Sequence, residues 1–193
     1  MNLFTKGNRK LPKTTLIWNL PAIKTCPNST EECRKWCYAR KAERIYPQVL
    51  PFRERNLELS KRKDFVDIII NNLKKLKNWN TLRIHESGDF YSREYFENWN
   101  DIISEFPNKI FYAYTKDKMG YLNQRHKNFI LIKSDDKKEY TIKRLKFLGF
   151  NGRARVDDGR KLTKNEFLCL ADCKICNYCY NDKGFKQVVF KKH

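Results

Sequence analysis

The stretch Thr81-Leu-Arg-Ile-His85-Glu-Ser-Gly-Asp-Phe-Tyr91-Ser92 decides the fold. Thr81–Ile84 is β-branched and apolar, as a strand prefers. A polar, glycine-bearing turn follows at once. Ser92 then offers a hydroxyl to cap a helix, and Tyr95, Phe96, Trp99, Ile102, Ile103 and Phe106 recur at helical spacing to give that helix one buried face. Pro107 and Asn108 end it. Strand, polar turn and amphipathic helix in direct succession form the unit of a parallel sheet, because parallel neighbours must be joined by a crossover.

The unit repeats on both sides. Upstream, Thr14–Leu20 reads as a strand closed by Pro21. Phe65, Ile69, Leu73 and Leu76, widened by Val66 and Ile70, make the apolar stripe of a long helix over Leu57–Leu76. Downstream, Lys109–Tyr114, Asn128–Lys133, Gly152–Val156 and Gln187–Phe190 read as strands. Between them lie a short helical piece over Met119–Arg125 and a helix over Lys138–Phe147. Tyr140, Ile142, Leu145 and Leu148 are the apolar positions of the latter, and Gly149 stops it. The central strands are almost continuously apolar, as in sheets buried on both faces. The expectation is one α/β domain over residues 1–193, a partial parallel β/α barrel of about six units, since a complete eight-fold barrel needs about 250 residues. An open doubly wound sheet is the alternative.

In either arrangement the polar residues beyond the carboxyl ends of the strands share one mouth. The first strand delivers Asn19 and then Cys26, Cys33 and Cys37. The second delivers His85, Glu86, Ser87, Gly88 and Asp89. Thr115 and Lys116, Ser134 and Asp135, and Asp157 and Asp158 follow the next three. Glu86, Asp89 and His85 are the candidate catalytic residues, two carboxylates for an amine or cation and one imidazole for proton transfer. His85 also suits a packed, hydrogen-bonded core position, and Asp89 a turn. Glu86, Ser87, Gly88, Thr115 and Ser134 are the candidate cofactor contacts, with Gly88 leaving room for a ligand to approach the backbone. Tyr112 and Tyr114 alternate in their strand and read as core.

The seven cysteines fall into two groups. Cys26, Cys33 and Cys37 are spaced C-x6-C-x3-C. Ser29 or Thr30 can cap a helix here, which would place Cys33 and Cys37 one turn apart on one face. Cys169, Cys173, Cys176 and Cys179 are spaced C-x3-C-x2-C-x2-C in a cysteine-rich segment, 165–184. Soft thiolates at such density point to zinc or iron–sulfur clusters. The consecutive C-x2-C-x2-C is closer to the ferredoxin run than to separated zinc pairs, although Tyr180 replaces the proline that follows that run. Iron–sulfur is therefore the leading reading, one [4Fe-4S] cluster or two, with zinc as the alternative metal. Three thiolates on a four-iron cluster would leave one iron open to a small molecule.

Composition bounds the rest. A hydrophobic share of 40% and an aromatic share of 14% suit a folded domain rather than a disordered chain. There is no apolar run of about 18 residues to span a membrane. Met1–Lys10 holds no apolar signal region, and the clustered, odd-numbered cysteines suit a reducing compartment. The net charge of +19 fits either a solvated lysine-rich surface or a polyanion partner such as nucleic acid.

Several stretches together carry a resemblance. Gly7-Asn-Arg-Lys-Leu-Pro-Lys13, Trp18-Asn-Leu-Pro21, Thr25-Cys-Pro27, Cys37-Tyr-Ala39, Arg83–Tyr91 and Phe111-Tyr-Ala-Tyr-Thr-Lys116 look like the phage and prophage family called "gene product eighty-eight". The terminal C-x2-C-x2-C looks like it too. The resemblance implies a phage-encoded protein with cysteine-bound metal, working in the cytoplasm of the infected host cell. More distantly, the chain is similar to radical S-adenosylmethionine proteins, in which a cysteine loop after the first strand of a six-unit partial barrel binds a four-iron cluster. Their usual C-x3-C-x2-C spacing and Gly-Gly-Glu-Pro string are absent. That likeness implies a radical or redox function, a redox partner, and S-adenosylmethionine held near Glu86-Ser-Gly88. The alternatives are a metal-stabilised basic phage protein that binds nucleic acid or a host protein without catalysis, and a zinc-stapled nuclease or transferase using Asp89, Asp135 and Asp157.

Overall fold

A computed structural model describes residues 2–117, 126–135, 139–181 and 184–191. The strands read from the sequence form the centre of an eight-stranded sheet. In chain order they are β2 (Thr15–Trp18), β3 (Thr81–Ile84), β4 (Ile110–Thr115), β5 (Phe129–Ser134), β6 (Gly152–Val156) and β8 (Lys186–Phe190). Each runs parallel to the next. Two short strands flank them: β1 (Thr5–Lys6), antiparallel to β2, and β7 (Phe167–Leu168), parallel to β8.

The spatial order is β1-β2-β3-β4-β5-β6-β8-β7, so the central strands follow the chain without a reversal. A doubly wound sheet requires such a reversal, and that alternative is overturned. β1 and β7 lie at opposite ends and do not pair, so the sheet is open rather than closed.

Strand alternation sorts the side chains onto two faces. Trp18, Leu82, Ile84, Phe111, Ala113, Phe129 and Leu131 join the main core. That core is completed by helices α3 (Val49–Ser60), α4 (Phe65–Lys75), α5 (Arg93–Ser104) and α6 (Ile142–Phe147). Trp18, Phe65 and Trp99 pack with ring centroids 5.7–5.9 Å apart at its centre. On the opposite face Tyr112, Ile130, Ile132, Ala154 and Val188 form a second cluster. The partly buried Cys169, Tyr178, Cys179 and Tyr180 cover it.

Several local expectations hold. Ser92 caps α5, accepting from the Tyr95 amide at 3.2 Å. Gly149 follows α6 with φ +84, and the Phe150 amide reaches back to the Leu145 carbonyl. Others are corrected. The helix over Leu57–Leu76 is two helices, because Ser60 turns its hydroxyl onto the Leu57 carbonyl and Arg62 clamps Asp64 through two bonds of 2.7 and 2.6 Å. Its apolar stripe survives in α4, where Phe65, Ile69 and Leu73 are buried. Cys33 and Cys37 do not share a helix. Helix α1 (Glu31–Lys35) ends before Trp36, and Cys37 is the extended N-cap of α2 (Tyr38–Ile45). α6 begins at Ile142 because Thr141 captures the cap, accepting from the Arg144 amide at 3.1 Å. The helical piece expected over Met119–Arg125 lies outside the described residues. No helix among the described residues is long and apolar enough to cross a membrane.

Candidate functional site

The loops that follow β2 and β3 are stitched into one unit. The Asn19 side-chain oxygen accepts from the Glu86 and Ser87 amides at 2.8 and 2.9 Å. Ser87 donates its hydroxyl to the Leu20 carbonyl, and the Asp89 amide donates to the Thr25 carbonyl. Gly88 sits between them at φ +90, where a Cβ would lie 2.7 Å from both Leu20 Cβ and Thr25 Oγ1. The backbone that approaches Gly88 so closely is the protein's own, not a ligand's. Ser87 and Gly88 thus brace the first cysteine loop.

That loop then tightens. Ile23 adopts φ +65, rare for a β-branched residue, and the Cys26 amide donates to its carbonyl at 3.0 Å. Thr30 caps α1, accepting from the Cys33 amide at 3.1 Å. The Cys26 thiol is pushed up to about 12, first by burial and then by the negative charge of Asp89, with Cys33 and Cys37 adding to it.

The second group crosses the opposite end of the same face. Cys169 is tied to β8 through its amide and the Val189 carbonyl. The Cys173 amide donates to the Lys10 carbonyl, in the loop between β1 and β2. Residues 169–180 therefore bridge from one end of the open sheet toward the other. The Tyr180 ring rests 5.3 Å from that of Tyr112, and the Tyr180 hydroxyl donates to the Cys173 carbonyl at 2.8 Å. Cys179 is hydrogen-bonded to Tyr114. Burial, with Cys169 and Cys173 alongside, pushes its thiol up to about 11.

Arg83 lies on the sheet face that the terminal cysteines cover. Leu82 and Ile84 point into the helix-side core, so Arg83 points to the cysteine side. Its guanidinium lies 6.0 and 5.7 Å from the ring centroids of Tyr112 and Tyr114. Glu86 approaches to 3.7 Å, beyond hydrogen-bond range. The Arg83 Nε is buried and has no hydrogen-bond partner among the described residues. Its positive charge acts on Cys173 and Cys179 and on Tyr38, next to Cys37. Burial opposes that charge, and the Glu86 carboxylate and the ring faces of Tyr112 and Tyr114 offset part of the cost.

The other candidate residues divide. Glu86 lies at the mouth, accepting from Asn8 at 2.7 Å. Asp89 is buried, accepting from the Phe90 and Lys116 amides and bonded to the Thr115 hydroxyl. Burial pushes its carboxyl up to about 6, with Asp117 adding to the rise. Ser134, at the end of β5, is half-buried. His85 turns the other way, into the aromatic core, 4.8 Å from Phe90 and hydrogen-bonded to Tyr95 at 2.9 Å. The Tyr95 hydroxyl also accepts from Trp18 Nε1, and His85 Nδ1 is buried with no hydrogen-bond partner among the described residues. Burial and Arg83 lower the imidazole to about 3, so it is neutral at pH 7. Asp135 and Asp157 bind nearby backbone amides in their own turns.

All seven cysteines are free thiols of intermediate burial. Among the described residues no three His, Cys, Asp or Glu side chains stand close enough to grip a metal ion as they are placed. That covers Asp89, Asp135 and Asp157 as well as the thiols. Both cysteine segments are lightly anchored: α1 buries none of its residues, and neither does the 3-10 turn at Tyr178–Tyr180. Sequence reading overlooked Arg83, Tyr38, Asp117 and Lys133. Asn28 ties the first cysteine loop to Asp117, and Lys133 donates to the Lys116 and Asp117 carbonyls at 2.6 Å each. A charged residue at an alternate position of an apolar strand, as at Arg83 and Lys133, is the signal that could have found two of them.

Comparison with known proteins supplies the lineage. The family model described as Gene product 88 matches residues 2–158, which include the first cysteine group and not the terminal one. The "Gene 88 protein" of Mycobacterium phage L5 is 32% identical over 177 residues, covering 83% of this chain and 74% of that protein. The "Gene 88 protein" of Mycobacterium phage D29 is 31% identical over 197 residues, covering 86% and 81%. No solved structure matches. The chain belongs to the Gene product 88 family of phage proteins.

Proposed function

We propose that this is an iron–sulfur protein on a radical-S-adenosylmethionine-like partial barrel. Cys26, Cys33 and Cys37 would hold one [4Fe-4S] cluster, and Cys169, Cys173, Cys176 and Cys179 a second. The observation that carries the reading is Arg83: a mostly buried cation, with an orphaned Nε, whose charge reaches the Cys173 and Cys179 thiols of the terminal group and, toward the first group, Tyr38 beside Cys37. Burying a guanidinium without full compensation is costly. Thiolates bound to a metal are anions, and so are the natural partners of such a cation. The donor set is soft throughout. The lightly anchored segments can be drawn in as metal binds, since ligand deprotonation and local ordering accompany metal uptake.

Such clusters supply one-electron transfer, and an open iron can bind a small molecule. The protein's share is positional. Arg83 offsets negative charge on the face that the terminal cysteines cover, and Tyr112 and Tyr114 pack against the guanidinium that does so. Asn19, Ser87 and Gly88 fix the first cysteine loop. Glu86, which accepts from Asn8 and stands beside Arg83, is the carboxylate that would exchange Asn8 for the amine of a ligand such as S-adenosylmethionine.

Anaerobic purification with iron, sulfide and zinc quantitation tests the reading. Iron and sulfide should be present, and serine replacement of either cysteine group should remove part of both. Stoichiometric zinc without sulfide would overturn it. Formation of 5′-deoxyadenosine on reduction with S-adenosylmethionine separates radical chemistry from simple electron transfer.

A further inference from the structure

The surface beside the first cysteine group has a different chemistry. A groove of about 740 Å³ opens between the loop at Ala22–Lys24 and helices α1 and α2. Lys24, Arg34, Lys35 and Arg40 line it against two carboxylates, Glu31 and Glu43. Glu43 is already occupied, paired with Arg53 at 2.9 Å and accepting from the Ala22 amide. The groove is therefore cationic. Lys41 and Arg44 extend the positive charge along α2.

Aromatic residues alternate with these charges along the chain, and Lys35 Nζ lies 5.6 Å from the Trp36 ring centroid. Trp36 is 57% exposed, Tyr38 48% and Tyr46 53%. Among the described residues, every Trp or Tyr with that much exposure falls between positions 36 and 46. The remaining tryptophans, Trp18, Trp79 and Trp99, are buried. Exposed rings interleaved with lysine and arginine match the needs of one ligand class. Cations track a phosphate backbone, and flat rings offer stacking faces to unpaired bases. A duplex presents charge but keeps its bases stacked, so it would use the lysines and leave the rings idle.

We propose that the α1–α2 surface binds single-stranded nucleic acid, with Trp36 and Tyr46 stacking bases and Arg40, Lys41 and Arg44 contacting phosphates. The inference does not depend on which metal the cysteines take.

The test is fluorescence anisotropy on the full chain, purified anaerobically, with a labelled oligothymidylate and a duplex of the same length at several salt concentrations. Oligothymidylate should bind more tightly than duplex, with affinity falling as salt rises. Trp36→Ala with Tyr46→Ala should weaken binding by about tenfold or more without changing the salt slope, because stacking contributes about 1–3 kcal/mol per base. Arg40→Gln with Lys41→Gln should flatten the slope by about 0.7 for each phosphate that is no longer neutralised. Lys75→Gln with Lys77→Gln, exposed in and just after α4, is the control for net charge alone. Thermal unfolding checks that each variant folds. Duplex preference, wild-type binding by the aromatic variant, or equal weakening in the control would each overturn the proposal. So would failure to bind oligothymidylate, including the case where a protein occupies this surface instead.

Discussion

Replacing Gly88 by alanine tests how the first cysteine loop is held. At φ +90 any L side chain is strained, at a cost of about 1–2 kcal/mol. The new Cβ would also lie 2.7 Å from Leu20 Cβ and 2.7 Å from Thr25 Oγ1. Forcing those atoms apart costs about 1–3 kcal/mol more, as overpacked cores do. The sum, about 2–5 kcal/mol, is a large part of the roughly 5–15 kcal/mol that holds a domain folded. Gly159 supplies the control. It has φ +84 and nothing within 4 Å of its virtual Cβ, so Gly159→Ala carries the backbone strain alone. With a urea slope of about 2 kcal/mol per molar, Gly88→Ala should lower the unfolding midpoint by about 1–2.5 M and Gly159→Ala by about 0.5–1 M. The Asp89 amide and the Leu20 amide tie this turn to the cysteine loop, so Cys26 should also react faster with a thiol reagent in Gly88→Ala. Equal midpoints for the two variants would refute the argument that contact with Leu20 and Thr25, rather than turn geometry, demands glycine here.

Three further expectations are specific. His85 has a folded pKa near 3 against an ordinary 6.5, so its contribution to stability is present above pH 6.5 and is lost at about 1.4 kcal/mol per unit as pH falls toward 3. Asp89, raised to about 6, acts oppositely and gains stability as pH falls from 6 toward 3.8. The two nearly cancel in wild type. In His85→Asn, chosen because asparagine tolerates the φ of +68, urea midpoints should therefore rise relative to wild type as pH falls from 6 to 4; parallel profiles would contradict the assignment for His85. Glu166→Gln removes the charge from a 2.8 Å pair with Arg155 in which both side chains are 2% exposed; Arg155 keeps Asp158 at 3.2 Å, and chemical denaturation should show a loss of about 1–3 kcal/mol. Arg83→Gln should leave the far-ultraviolet circular dichroism unchanged and weaken metal retention against a chelator by about tenfold, from the removal of one charge at an effective dielectric near 20. Unchanged retention would remove Arg83 as the counter-charge.

The sheet was legible because each strand carries its own local signal. Thr15–Trp18, Phe111–Ala113 and Phe129–Ile132 are apolar runs bounded by polar turns, and Phe65, Ile69 and Leu73 recur at a helical period. Caps need only the side chain and the next turn, so the sequence alone located Ser92 and narrowed the cap of α1 to Ser29 or Thr30, of which the structure uses Thr30. The break after Ser60 and the end of α1 at Lys35 were not legible. Neither position carries glycine or proline, and the break after Ser60 goes with side-chain bonds that no periodicity encodes.

By itself, then, the sequence determined the alternation of strands and helices, the parallel sense of the central sheet, and the presence of two thiol groups, while the strand order came from the tertiary structure. Only the tertiary structure decided their relation. His85 and Arg83 are two residues apart, on the same strand and its end, yet His85 turns at φ +68 into the helix-side aromatics while Arg83 faces the cysteines. Cys173 meets the Lys10 loop across more than 160 residues of chain. Contacts of that kind depend on the three-dimensional closing of loops over a sheet face, and one-dimensional spacing carries no record of them.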